Sequence, residues 1–550
     1  MTDPNDEAEK IAGETLFVAW GAIALAMISL AYCFRHGLLL LFGDAVAHMY
    51  IARRIFDSRN PGYRQLGSVW LPLPHLLLAP FVARMSWWQN GVAGAWVSIP
   101  SYALGCAGLY RLARVWLPAG MAIVALAFFA FNPGLLYMAT TAMTEPLFLA
   151  EMIWAVLLIV LFELALRGGS YGVLVRRSPQ RLLLWAGVVL VGAVFTRYDG
   201  WILGAVLWVF ATVRVFTIEG AWRKVRGAWV AFTVILASAP LLWLAYNAKN
   251  FGDPLDFMRG PYSARAIEAR TKPAGGYYHP GWHNMRVATL YFLKVAELGA
   301  TPQHCADVLF CISLAGAAAA VVHFRGRAIW TAMVLWLPLP FYAYSVAYGS
   351  VPIFFPLWFP HSWYNIRYGM EMLPIFALSG AFFFALLAEF ARRRQWLKLP
   401  APVVERTMAA VLLALIAANT AVLLRTGPLV YEEAVVNSRS RVAFDHAVAN
   451  ALMLLPPEPV ILMDASVDAG AIEEAGLPLR RTLNEGDDLE WRRALADPAM
   501  AAPIAIALDG DPVARAIQDH PENMDLVKVI CSSGEPCARI YWSKVYTPRL

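Results

Sequence analysis

Leu16-Phe-Val-Ala-Trp20-Gly-Ala-Ile-Ala-Leu25-Ala-Met-Ile-Ser-Leu30-Ala-Tyr-Cys-Phe34 carries no charged side chain. At about 19 residues it has the length of a helix through the ~30 Å hydrocarbon core of a bilayer. Apolar runs of this kind recur as far as Leu424. The 550-residue chain is 59% hydrophobic and 15% charged, with a mean hydropathy of +0.53. A soluble chain carries about a quarter charged residues. The first run does not read as a cleaved leader. Its amino-terminal flank is acidic (Asp3, Asp6, Glu7, Glu9), and no small-residue cleavage pattern follows. The net charge of +6 is modest and does not point to nucleic acid as a partner.

Working outward, spans are expected at 16–34, 91–112, 119–137, 144–166, 181–197, 199–216, 228–248, 305–324, 328–347, 369–391 and 404–425. Cytoplasmic loops of membrane proteins are enriched in Lys and Arg. Alternate loops here hold Arg111 and Arg114; Arg167, Arg176, Arg177 and Arg181; Arg214, Arg223, Lys224 and Arg226; Arg325 and Arg327; and Arg392, Arg393, Arg394, Lys398 and Arg406. That register puts residues 1–15 in the cytoplasm, a transmembrane domain at 16–425, and 426–550 outside. The proline-bearing stretch 69–88, ending in Trp87 and Trp88, reads as an interfacial helix on the outer leaflet. The expected fold is a polytopic α-helical membrane protein of about 11 spans with a small external α/β carboxyl-terminal domain. Basic inner loops suit a bacterial inner membrane, with the tail in the periplasm.

The tail alternates strand-like runs (459–463, 502–508, 526–530, 538–542) with helix-like segments near 466–475, 487–496 and 512–519. Asp464, Asp468 and Asp509 lie near strand ends and read as turn and helix caps. Cys531 and Cys537 flank a Ser-Ser-Gly-Glu-Pro turn. In an oxidising compartment they cross-link this hairpin; otherwise they are two free thiols.

The register collects unusual residues on the outer side. The first external loop, 35–90, carries Asp44, His48, Arg53, Arg54, Asp57 and His75. Asp44 and His48, four apart, share one face of a helix. Thr144-Glu145-Pro146 opens the fourth span, and Arg197-Tyr198-Asp199 forms a tight reversal. The loop 249–304 holds Tyr262, Tyr277, Tyr278, His279 and His283; the loop 348–368 holds His361, Arg367 and Tyr368, with Glu371 one turn on. Charges in or beside spans cost roughly 2.5–3.5 kcal/mol each on insertion scales, so they face a cavity or a partner. Each has a plainer reading. Asp44 can cap its helix, Glu145 can complement a helix dipole, Arg53 and Arg54 can snorkel to headgroups, and His75 can be structural.

On these residues the chain resembles the C-type glycosyltransferase superfamily, nearest the branch of aminoarabinose-lipid transferases and protein O-mannosyltransferases. The likeness covers about 16–425. It rests on Asp44 in the first external loop, the following Trp70-Leu-Pro-Leu-Pro74, Thr144-Glu145 at the third-to-fourth span turn, and Asn365-Ile-Arg367-Tyr368 opening a late span. At Asp44 the first loop departs from the family in having a single acid where relatives have an adjacent pair. The resemblance implies inverting transfer of a sugar from a polyprenyl phosphate donor to a lipid, glycan or protein acceptor. Asp44 is then the base, supported by His48, with Glu145 positioning substrate. Arg197 and Arg367 clamp the phosphate, Arg53 and Arg54 stand in reserve, and Asp199, Tyr262, His361 and Tyr368 complete the substrate side. Asp44, His48 and Glu145 offer ligands for a divalent cation, and metal-free catalysis fits equally. The competing class is a transporter or lipid flippase. It expects paired half-repeats and midplane charges, which this sequence does not display.

Overall fold

The computed structural model of the protein describes residues 4–168, 178–271, 278–326, 328–396 and 399–546. Arg176, Arg177, Tyr277, Arg327 and Lys398 lie outside the described residues. Two compact units emerge. One comprises Met1–Ala31, Ser98–Thr140 and Thr144–Glu433; the other comprises Tyr32–Val97, Thr141–Met143 and Ala434–Leu550.

Among the described residues ten helices are long and apolar enough to cross a membrane: Glu9–Arg35, Val92–Ala113, Glu145–Arg167, Pro179–Thr196, Asp199–Thr217, Ala221–Phe251, Gln303–His323, Ile329–Tyr348, Ile366–Arg393 and Ala401–Met453. The expected span at 119–137 is the exception and is corrected here. It divides into Ala119–Ala130 and Pro133–Met138. Asn132 caps the second piece by accepting from the Leu135 amide, and Pro133 has no amide hydrogen to continue the first. Twelve residues of helix rise only about 18 Å.

The helical unit is built around Glu145–Arg167, which is buried on nearly every side and apolar on nearly every side. Pro146 sits in its first turn, where a missing amide hydrogen costs nothing, and Gly168 ends it at φ +67°. Two glycines fix close approaches. A Cβ on Gly200 would collide with the Ala193 carbonyl, so the reversal between Pro179–Thr196 and Asp199–Thr217 admits only glycine. Ser313, Gly316, Ala317 and Ala320 form the buried seam of Ala306–His323, which packs on Leu373–Arg393. Small residues at this spacing let helix backbones meet. A Cβ on Gly316 would strike the Ser379 carbonyl oxygen. Gly316→Val should therefore cost about 1–3 kcal/mol through overpacking, read as a lower unfolding temperature in detergent. An unchanged temperature would mean the two backbones are free to part.

The second unit holds a five-stranded sheet in the order β2-β1-β3-β5-β4, with β1 Ile461–Leu462, β2 Thr482–Leu483, β3 Ile504–Leu508, β4 Met524–Ile530 and β5 Ala538–Ser543. β2, β1 and β3 run parallel; β5 and β4 are antiparallel. All five residues of β3 are buried, as a central strand covered on both faces requires. Cys531 and Cys537 are joined by a disulfide in the β4–β5 connection. The short strand β2 was not anticipated. Asp468 stands at the amino terminus of Ala469–Ala475 but makes no cap hydrogen bond; its carboxylate is buried instead.

Residues of the first loop belong to this second unit through polar links. Arg54 reaches Glu485 (3.4 Å), Arg59 reaches Glu490 (3.2 Å) and Arg64 reaches Asp488 (2.8 Å). Asn60 donates to Asp487 (3.0 Å), and Gln65 to the Gly486 carbonyl (3.2 Å).

Candidate functional site

In the helical unit, a buried polar cluster grows from helix ends. Glu145 begins one helix, Asp199 begins another, and Arg197 occupies the extended residue between two helices (φ −148°). Tyr342 comes from Pro338–Tyr348, and Arg367, Tyr368 and Glu371 from the 3-10 turn Ile366–Met372.

Arg197 is the hub. Its Nη1 donates to Thr144 Oγ1 (3.0 Å) and Glu145 Oε1 (3.3 Å), and its Nη2 to the Tyr342 hydroxyl (2.7 Å). Its Nε faces Asp199 Oδ2 (3.2 Å) and Glu371 Oε1 (3.4 Å). Arg367 Nε donates to the same Glu145 Oε1 (3.1 Å), and its Nη1 stands 3.8 Å from Glu433. Glu433 also accepts the Ile366 amide (3.1 Å). The single proton of the Tyr342 hydroxyl has two acceptors in reach, Glu371 Oε1 (2.6 Å) and Asp199 Oδ2 (2.9 Å). The Tyr368 ring lies 4.9 Å from the Arg197 guanidinium and 5.0 Å from that of Arg367.

Glu145 and Glu371 are 1% and 0% exposed, so these charges sit where water does not screen them. One carboxylate oxygen shared by two guanidinium forks leaves Glu145 Oε2 without a hydrogen bond. The point that both arginines face is the Glu145 carboxylate, and forked guanidinium donors match carboxylate and phosphate oxygens alike.

The second unit holds the first-loop candidates. Asp44 lies in the first turn of Gly43–Asp57, whose N-cap is Phe42 with no side-chain cap. Asp44 is therefore two residues past the N-cap, the place where a capping carboxylate acts. His48 is buried, stacks on Trp70 (4.3 Å between rings) and meets His75 Nε2 through Nδ1 (2.9 Å). His75 is fully buried, and its Nδ1 bonds the Leu71 carbonyl (3.1 Å). A carbonyl only accepts, so the His75 proton is on Nδ1, its Nε2 accepts, and His48 donates. Burial, then His48, pushes His75 well below the ordinary imidazole value, which keeps His75 neutral.

Arg53 is taken up by Asp57 (2.8 Å), the Val82 carbonyl (2.6 Å) and the Trp88 ring (4.3 Å). Arg54 binds the Gln65 carbonyl (2.8 Å) beside Glu485. Burial pushes the Glu485 carboxyl up from 4.5 to about 7, with Arg54 pulling it back. The folded unit then keeps a proton that the unfolded chain loses above pH 4.5. This contribution is complete below pH 4.5 and is lost as pH rises through about 7, a change of about 3 kcal/mol. The stability difference between the unaltered protein and Glu485→Gln should fall by that order over the same window in thermal unfolding. A difference that stays flat with pH would contradict it.

Tyr262 is exposed on its loop. His361 is exposed at φ +57° with Nδ1 on its own turn at the Pro356 carbonyl (2.9 Å). Tyr278 stacks on Trp282 (3.6 Å), and His279 meets Glu268 (3.1 Å). Thus Glu145, Arg197, Asp199, Arg367 and Tyr368 share one cluster, while Asp44, His48, Arg53 and Arg54 belong to the other unit. Tyr342 and Glu433 were missed. A tyrosine in an apolar helix carries no sequence signal, whereas a glutamate just past the last apolar run, at Glu433, could have been flagged as a buried charge. Among the described residues no group of three or more His, Cys, Asp or Glu is arranged to hold a metal ion.

No protein-family model matches the chain, and no curated protein matches it. Solved structures do. ArnT from Cupriavidus metallidurans in the apo state aligns with a TM-score of 0.56 at 15% identity, covering 98% of this chain and 99% of that one. The same protein bound to undecaprenyl phosphate gives 0.55 at 14% identity over the same shares. The archaeal oligosaccharyltransferase AglB from Archaeoglobus fulgidus, in complex with an inhibitory peptide and a dolichol-phosphate, gives 0.45 at 11% identity, covering 90% of this chain and 69% of that one. The chain therefore has the fold of ArnT over nearly its whole length, and the resemblance read from the sequence holds at the level of fold.

Proposed function

We propose that a chain with this fold is a membrane glycosyltransferase that moves a sugar from a polyprenyl phosphate to a lipid, glycan or protein acceptor on the outer face of a bacterial inner membrane. The observation that carries this reading is the pair Arg197 and Arg367 converging on Glu145 Oε1 in a buried site. That arrangement suits a phosphate that gains charge as it leaves. ArnT is bound to undecaprenyl phosphate in one of its structures, and we carry that ligand class to this chain.

In the proposed reaction the acceptor oxygen bonds to the anomeric carbon, with inversion. The bond from that carbon to the phosphate oxygen breaks, and its electron pair leaves on polyprenyl phosphate. The acceptor proton goes to a carboxylate base, a role given to Asp44 by the sequence resemblance alone. Arg197 and Arg367 take the phosphate in place of part of their hold on Glu145, and Tyr368 packs against both guanidiniums. Glu145 and Asp199 orient the arginines and meet sugar hydroxyls; Tyr262 and His361 serve the rim. A divalent cation is not needed by any of these steps. Sidedness follows from the basic loops, with 119–138 counted as a broken crossing, the amino terminus inside and 426–550 outside.

The test is incubation of the purified protein in lipid nanodiscs with a labelled polyprenyl-phosphate sugar. Release of polyprenyl phosphate with glycosidic transfer or hydrolysis of the sugar is expected. Movement of intact donor across a vesicle without cleavage would sink the enzyme and favour a flippase. Labelling of a cysteine placed at Thr426 from the cytoplasmic side alone would break the sidedness.

A further inference from the structure

The helix carrying Asp44 has no cap of its own, yet its entry is fixed from far along the chain. Arg441, on Leu429–Met453, donates from Nη2 to the carbonyls of Leu40 (2.7 Å) and Leu41 (3.1 Å). Its Nη1 is held by Asp445 (2.7 Å). A Cβ on Gly43 would stand 3.8 Å from Arg441 Nε, so the guanidinium lies over the first residue of the helix. A cation there is on the unfavourable end of the helix dipole. The contact therefore does little for the helix as a helix. What it fixes is the direction in which the chain enters the turn containing Asp44.

The other end is fastened too. Asp57 accepts the Leu479 amide (3.4 Å) and pairs with Arg480 (3.3 Å), while Arg54 meets Glu485. Both ends of Gly43–Asp57 are thus tied to residues of 434–550, with Arg441 holding the two carbonyls that lead into the turn of Asp44.

We infer that Arg441 is a positioning residue for Asp44: by binding the Leu40 and Leu41 carbonyls it sets the placement of that carboxylate, and the carboxyl-terminal segment thereby takes part in catalysis without touching substrate. The inference rests on Asp44 being the base. Displacing a reacting group by about 1 Å costs up to about 10²-fold in rate.

The experiment uses the full chain with Arg441→Ala and Arg441→Lys. Amide hydrogen exchange at residues 43–50 reads the grip directly, and turnover of a labelled polyprenyl-phosphate sugar reads its consequence. Arg441→Ala should speed exchange there and lower kcat on the order of 10–100-fold, with donor KM changed by less than about twofold. Arg441→Lys, which keeps a donor for the two carbonyls, should recover part of both. Unchanged exchange overturns the grip. Faster exchange with unchanged kcat, or a donor KM that rises in step with the loss, overturns the positioning role. If the unaltered protein turns over no donor, the transferase reading fails and the positioning role falls with it, while exchange still decides the grip.

Discussion

Arg197→Met is expected to destabilise the helical unit by about 3–5 kcal/mol, the cost of removing one partner from a buried ion cluster. Methionine fills much of the same volume, so the loss is electrical rather than steric. Arg197 lies within 3.4 Å of Glu145, Asp199 and Glu371, and donates besides to Thr144 and Tyr342. Without it three buried carboxyls face one another with their main cation gone. They must ionise unpaired or take up protons, and either outcome weakens the folded state. Arg197→Lys keeps the charge but cannot serve five acceptors with one ammonium, so it should lose less than Met and still be impaired. Adding Glu371→Gln to Arg197→Met should return part of the stability, since it removes one of the stranded charges. Thermal unfolding in detergent for the three variants decides the matter. A loss below about 1 kcal/mol in Arg197→Met would mean the cluster is hydrated and the ion pairs are worth little.

Asp44→Asn should lower glycosyl transfer by about 10²–10⁴-fold, the usual range for a general base. Asparagine matches the carboxylate in shape but cannot accept a proton. The plainer role for Asp44, a favourable charge in the first turn of Gly43–Asp57, is worth about 0.3–1 kcal/mol. The two roles therefore separate by measurement. A base shows a large fall in kcat with little change in stability; a helix charge shows a small fall in stability and near-normal turnover. Transfer that survives Asp44→Asn at close to the unaltered rate removes it as the base, and Glu145 would be the next carboxylate to substitute.

The features legible in the sequence are those with a local signature. Apolar runs located ten helices. The strand-like runs 502–508 and 538–542 became the paired β3 and β5. Arg197, Asp199, Glu145 and Arg367 could be singled out because a charge next to an apolar span is costly enough to need a reason. The segment 119–137, expected as one continuous helix, is apolar but for Asn132, and Asn132-Pro133 breaks it through backbone chemistry that hydropathy does not weigh. Tyr342 was invisible for the opposite reason, being an ordinary residue in an apolar helix until two acids and an arginine are folded around it. The ties of Arg54, Arg59 and Arg64 to Glu485, Glu490 and Asp488 join partners more than 420 positions apart. No periodicity or motif can announce such a pairing.

That separation bears on how the molecule is made. The unit containing Tyr32–Val97 is completed by Ala434–Leu550, so about 340 residues of mostly apolar chain are synthesised in between. At roughly 5–20 residues per second, the early segment waits on the order of 20–70 s before its partner exists. During that interval Asp57, Arg54 and Arg64 have none of the distant partners that later tie them down. Throughout that interval the early segment exists without the stretch of chain that completes its compact unit.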